Sequence, residues 1–141
     1  MGKKRIAQKG GEEALKEAPQ SVKPSKTVEQ GRIYIYSSYN NTIMSLTDAS
    51  GNALSQVSAG AIGFRGTKKS TPFAASKVAD ALYQSAKSRG MKKVELFIKG
   101  VGTGRDSALR AFGAKDLEIL SIKDDTPVPH NGPRPRKVRR V

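Results

Sequence analysis

STPFAASKVADALYQSAKSRGMKKVELFI, residues 70–98, contains the change of hydrophobic period that decides the fold. Ser70-Thr71-Pro72 reads as a helix start, with Thr71 as cap and Pro72 in the first helical position, where its missing N–H costs nothing. Ala75, Val78, Ala79, Leu82 and Ala86 then recur at helical spacing on one face, and Gly90 is placed to end the helix. The compact apolar run VELFI, residues 94–98, follows as a strand. Upstream the period is 2. Ile33 and Ile35 alternate with Tyr34 and Tyr36 over residues 32–39. Asn40-Asn41, a pair that tolerates left-handed turn conformations, comes next, and residues 42–48 resume the strand pattern. This is a hairpin. Asp48-Ala49-Ser50-Gly51-Asn52 makes a second turn into a weaker strand over residues 53–59. Downstream, residues 106–112 form a short helix closed by Gly113, and residues 117–122 form the last strand. The order β-β-β-α-β-α-β predicts an α/β fold: a mixed sheet with helices packed on it.

Composition narrows the function. The chain has 141 residues, 36% hydrophobic, with 26 Lys and Arg against 12 Asp and Glu, a net charge of +14. One modest core fits this length. Such an imbalance costs stability through self-repulsion unless an anionic partner screens it, which points first to nucleic acid and second to an anionic membrane surface. With no cysteine there is no disulfide framework, thiolate metal site or cysteine nucleophile. His130 is the only histidine, which argues against a Ser-His-Asp triad or a histidine-rich metal site. No run of 18 apolar residues spans a bilayer, and MGKKRIAQKGGEE lacks the apolar segment of a signal peptide. The expectation is a soluble intracellular protein.

Charge divides the chain into three parts. Residues 1–31 hold seven bases and four acids, interrupted by Gly10-Gly11, Pro19 and Pro24, and read as a mobile basic arm. Residues 32–126 carry the apolar periodicity. Residues 127–141, PVPHNGPRPRKVRRV, hold five bases, no acid and four prolines. Proline and charge forbid a core there, so this is an extended basic tail. Arg134, Arg136, Lys137, Arg139 and Arg140 fan out along it, suited to phosphate contacts and to stacking on exposed bases.

Two glycine clusters carry the remaining chemistry. In Gly60-Ala61-Ile62-Gly63-Phe64-Arg65-Gly66-Thr67-Lys68-Lys69, three glycines at spacing three let backbone approach a phosphate, and three cations lie among them. It is not a Walker A loop, since Thr67 follows Gly66 where lysine should stand. A flexible connector with solvated charges is the plainer alternative. The second, Lys99-Gly100-Val101-Gly102-Thr103-Gly104-Arg105, lacks the third glycine of the dinucleotide fingerprint. It reads as a backbone cradle for an RNA phosphate, with Arg105 adding a bidentate contact. Asp48, Asp80 and Asp106 each have a sufficient structural role, and no metal is expected.

At these motifs the chain resembles the universal small-subunit ribosomal protein eleven family, bacterial type. The matching stretches are Tyr39-Asn40-Asn41-Thr42-Ile43, Thr47-Asp48 with Gly51-Asn52-Ala53, Ser58-Ala59-Gly60, Gly63-Phe64-Arg65-Gly66 and Lys69-Ser70-Thr71-Pro72-Phe73-Ala74-Ala75. The loop over residues 100–105 and Asp125-Thr126-Pro127-Val128-Pro129-His130-Asn131-Gly132 with its basic end complete the match, over residues 32–141. The resemblance implies a sheet of ribonuclease-H-like topology and a structural, non-enzymatic role without cofactor. It implies a place in the platform of the small ribosomal subunit, on small-subunit rRNA, near the mRNA exit path and beside neighbouring platform proteins. No membrane is involved, and the ribosome is that of the cytoplasm or of an organelle. Asn40, Asn41, Arg65, Lys68, Lys69, Arg105 and the tail cations are the expected rRNA contacts.

The chain departs from the family in carrying Gln56-Val57 where many members have tryptophan, and Val101 and Thr103 where prolines are common. The alternatives from other classes are a metal-dependent nuclease of ribonuclease-H topology and a nonspecific DNA-compacting protein. Asn131-Gly132 is expected to be prone to modification while the tail is free, because glycine leaves the next backbone nitrogen unshielded to attack the asparagine amide.

Overall fold

A computed structural model describes residues 27–141. Residues 1–26 of the expected arm lie outside the described residues. Its last residues belong to the fold. The Val28 N–H donates to the Arg89 carbonyl at 3.1 Å, and the Glu29 carbonyl accepts from Lys92 at 3.0 Å and from Lys93 at 3.1 Å. The first strand, β1 (Gln30–Ser37), therefore starts two residues before the expected position. A period-2 reading misses Gln30 and Gly31 because neither is apolar. Yet Gly31 is sterically required, since a Cβ there would lie 2.5 Å from both the Met91 side chain and the Thr47 carbonyl oxygen.

After β1 come β2 (Thr42–Asp48) and β3 (Ala53–Ser58), then α1 (Ala59–Ile62), a 3₁₀ turn (Gly66–Ser70), α2 (Pro72–Ser88), β4 (Lys93–Lys99), α3 (Gly104–Gly113) and β5 (Glu118–Asp124). The expected order has one helix between the third and fourth strands; the structure adds α1 and the 3₁₀ turn ahead of it. The local cause is a cap. Ser58 Oγ accepts from the Ala61 N–H at 3.2 Å, and Gly63 at φ +113° ends the turn after one cycle.

The five strands form one mixed sheet in the order β3-β2-β1-β4-β5. β1 pairs antiparallel with β2, and β2 with β3; β4 runs parallel to β1 and to β5. Ile33, Ile35, Met44, Leu46, Val94, Leu96 and Ile98 point to one face and are buried there. Alternation then forces Tyr34, Tyr36 and Phe97 to the other face, where Tyr34 and Phe97 stack with ring centroids 4.9 Å apart. The buried face meets Ala74, Ala75, Val78, Ala79, Leu82 and Ala86 of α2, with Ala108 and Phe112 of α3. Small alanines bring the α2 backbone close to the sheet, and Leu82 anchors it; truncating such a side chain costs about 2–5 kcal/mol. The α2 start is as expected: the Thr71 hydroxyl accepts from the Ala74 N–H at 3.3 Å and Pro72 opens the helix. Gly90, at φ +74°, follows its end.

Candidate nucleic-acid interface

The strand directions gather the candidate residues. β1, β3, β4 and β5 run the same way, so their C-terminal ends lie at one end of the sheet with the start of β2. The Asn40-Asn41 turn, both glycine loops and the root of the tail all emerge there. Open α/β sheets bind ligands at this end of their strands, where loops can vary without disturbing the core.

The hairpin turn is built differently from expectation. β1 ends at Ser37, and neither Asn40 nor Asn41 has positive φ. Ser38 closes the turn instead: its N–H donates to the Asn41 carbonyl at 2.9 Å, and its Oγ accepts from the Asn41 N–H at 3.0 Å. Asn41 Oδ1 accepts from Thr42 N–H at 2.9 Å. Asn41 is thus occupied with the turn, while Asn40 and Tyr39 are exposed.

The first glycine loop is open. Gly63 and Gly66 have φ of +113° and +61°, and a Cβ on either would meet nothing within 4 Å. They are glycines for backbone conformation, and the space beside them is free. Arg65, Thr67 and Lys68 are exposed and Lys69 is half-buried. None of the ion pairs among the described residues involves Arg65, Lys68 or Lys69. The Lys68 carbonyl accepts from the Thr71 hydroxyl at 2.8 Å, tying the cationic turn to the α2 N-terminus, whose dipole adds to the positive potential.

The second loop is closed, which corrects the expectation of a phosphate cradle. A Cβ on Gly100 would lie 2.1 Å from the Ser37 carbonyl oxygen, and one on Gly102 would lie 2.3 Å from Ser37 Oγ and from the Ser38 carbonyl oxygen. The Gly102 N–H donates to Ser37 O at 2.9 Å. Close backbone approach is indeed the reason for these glycines, but the approaching group is the end of β1. Helix α3 also starts at Gly104, two residues before the expected Asp106. Thr103 Oγ1 donates to the Ser70 carbonyl at 2.6 Å and so joins the two loops.

Arg105 is engaged by the protein itself. Nη1 donates to the Gly100 carbonyl at 3.0 Å and to Thr126 Oγ1 at 3.2 Å, while Nη2 pairs with Asp124. The guanidinium, with the Thr126 hydroxyl and N–H, holds the Asp124 carboxyl far below the usual carboxylate range. Thr126 Oγ1 in turn accepts from the Gly100 N–H at 3.3 Å, and the Asp125 N–H donates to Ile98 O at 2.8 Å. This knot fixes where the tail leaves the domain. Asp124 and Thr126 were not legible as partners of Arg105, since they follow it by 19 and 21 residues with no spacing signature.

Beyond the knot, residues 127–141 form no helix or strand and are exposed, Arg134, Arg136, Lys137, Arg139 and Arg140 included. Asn131 has φ +54° and is the only non-glycine residue with positive φ among the described residues. The aspartates do not converge. Asp48 accepts from Asn52 N–H and Nδ2 at 2.8 and 2.9 Å in the turn at the far end of the sheet, which lowers its pKa. Asp80 pairs with Lys115 at 2.6 Å, and Asp106 lies in the first turn of α3. Among the described residues no group of three or more His, Cys, Asp or Glu is placed to hold a metal ion. Nor is any described helix long and apolar enough to cross a membrane.

A family model described as Ribosomal protein S11 matches residues 31–140. Two curated relatives, each named small ribosomal subunit protein uS11, come from two strains of Treponema pallidum, one of them the Nichols strain. Each is 53% identical over 119 residues, covering 84% of this chain and 94% of the relative. The match takes in the hairpin turn, both glycine loops and the tail, the parts that meet at one end of the sheet, and on these grounds the chain belongs to the ribosomal protein S11 family.

Proposed function

We propose that this protein is a structural constituent of the small ribosomal subunit that binds small-subunit rRNA in the platform, near the mRNA exit path and beside other platform proteins. It works in the cytoplasmic ribosome, and it is not an enzyme. The observation that carries the reading is the convergence of an unpaired cationic loop and a basic tail at one end of a sheet. Asn40, Arg65, Lys68, Lys69 and the tail cations face outward there. Asn41 and Arg105, both engaged by contacts within the protein, set the shape of that surface. RNA in such an assembly is recognised through phosphates, 2′-hydroxyls and irregular shape. The sheet order 3-2-1-4-5 with an antiparallel second strand supports a ribonuclease-H-like topology used as scaffold alone. The reading extends to domain organisation: residues 32–126 supply shape, and the tail, residues 127–141, supplies adaptable charge.

Sedimentation of a lysate expressing the tagged full chain tests this. The protein should travel with small subunits and bind a central small-subunit rRNA fragment more tightly than an unrelated RNA of equal length. A protein that stays at the top of the gradient and treats both RNAs alike would refute it. Asn131 should deamidate in the aged free protein and be protected on rRNA; peptide maps identical in the two states would remove it as a modification site.

A further inference from the structure

The groove beside the open loop has features that phosphate contacts leave unused. Phe73, the second residue of α2, is 64% exposed, and Ile62 is 40% exposed. Phe73 and Lys77 lie on the side of α2 away from its alanine stripe, so no core holds them. The rings of Phe64 and Phe73 meet edge to face, with centroids 6.0 Å apart at 78°, and Lys77 Nζ lies 5.5 Å from the Phe73 centroid. Together with Ile62 and Gly63 they line a shallow groove of about 320 Å³. Its surroundings have one sign of charge. Lys77 lines it, Arg65, Lys68 and Lys69 lie on the segment that joins Phe64 to Phe73, and the chain contains no Asp or Glu from residue 49 to residue 79.

We infer that this groove takes an unpaired nucleobase of single-stranded RNA, stacked on Phe73, while Arg65, Lys68 and Lys69 hold the phosphates on either side. Every base offers a π-face, so an exposed ring flanked by unpaired cations matches the two chemistries of a nucleic-acid strand at once. A site for phosphate alone needs no exposed phenylalanine. Acidic side chains would satisfy the cations, but they bring no aromatic face to stack on the ring. The inference rests on the rRNA reading and adds to it a base-stacking position.

The chain has no tryptophan, so Phe73→Trp installs a single tryptophan at the proposed position, excited selectively at the red edge where the four tyrosines do not absorb. The full-length variant is titrated with a short oligouridylate, with inorganic polyphosphate as a backbone without bases, and with polyglutamate. Emission should be quenched by the oligouridylate and unchanged by the other two at saturation. Phe73→Leu should weaken oligouridylate binding by roughly 5- to 150-fold, the range for losing one stacked base, while Phe73→Tyr retains it. All three variants should melt like the parent, since the ring lies outside the core. Binding of oligouridylate without quenching, and with equal affinity in Phe73→Leu, would overturn the stacking site and leave the rRNA reading intact. Loss of polyglutamate binding in Phe73→Leu would assign the groove to an acidic polypeptide and overturn it as well. A parent chain that binds no RNA would overturn both readings.

Discussion

Two loops of similar composition lie side by side at one end of this sheet, and their glycines serve opposite purposes. In the first loop Gly63 and Gly66 supply positive φ and face open space, and the cations beside them, Arg65, Lys68 and Lys69, take part in none of the described ion pairs. In the second loop the missing Cβ atoms of Gly100 and Gly102 let the chain lie against Ser37 and Ser38, and the nearby cation, Arg105, pairs with Asp124. One loop presents charge outward; the other organises the hairpin and the tail that flank it. A glycine-rich basic stretch is therefore a statement about backbone, and what approaches that backbone must be read from the fold.

The comparison breaks most visibly in stability. Gly100→Ala combines a φ of +104° with a Cβ placed on the Ser37 carbonyl oxygen, so overpacking adds to backbone strain. It should cost about 3–5 kcal/mol, or fail to fold. Gly63→Ala carries the conformational term alone and should cost about 1–2 kcal/mol. Thermal melts of the two variants check this, and equal losses would erase the distinction between the loops.

Next in size is the tail. Its root is fixed by the Arg105–Asp124–Thr126 knot, so removing residues 133–141 leaves that anchor in place. If about four of the five tail cations each displace a counterion at roughly 0.7 per phosphate, the log–log salt slope of binding to the central rRNA fragment should flatten by about 3. Stability should change by about 0.5 kcal/mol or less, as for exposed residues in general. An unchanged slope would make the tail a solubilising appendage. An equal loss on an unrelated RNA would show that it adds affinity without specificity.

The smallest effect is a pH dependence. The Asp124 carboxyl titrates below its unfolded value of about 4, so its pairing stabilises the fold above that pH. That contribution is lost as pH falls through the folded-state value. Asp124→Asn should therefore melt below the parent at neutral pH, with the gap closing in acid below about pH 4. It should also raise amide exchange at Gly100 and Thr126. A gap of constant size across this range would mean that the knot does not depend on the carboxylate charge.

How much of this is legible in the residues follows from the range of the interactions. The strand β2, the capped start of α2 and its stripe from Ala75 to Ala86 depend on neighbours a few positions away, and period and capping chemistry reveal them. The start of β1 at Gln30 depends on pairing with Lys93, which a local pattern does not contain. Asn40-Asn41 suggests a left-handed turn because asparagine tolerates that conformation; the hydroxyl of Ser38 supplies another closure. Arg65, Lys68 and Lys69 stand out as cations and are exposed or half-buried as cations. Arg105 looks the same in sequence, and only the return of β5 beside β4 brings Asp124 to it. Phe73 has no role in the sequence reading beyond membership of a motif, although its place opposite the α2 stripe marks it as exposed.

The central claim is that the open loop, and not the closed one, faces RNA. The most direct measurement is the salt dependence of binding to the central rRNA fragment for the parent and for a variant with Arg65, Lys68 and Lys69 all changed to alanine. Three released counterions at roughly 0.7 each predict a slope smaller by about 2, with an unchanged melting temperature. A slope equal to that of the parent, with the loop cations gone and the fold intact, would contradict the account.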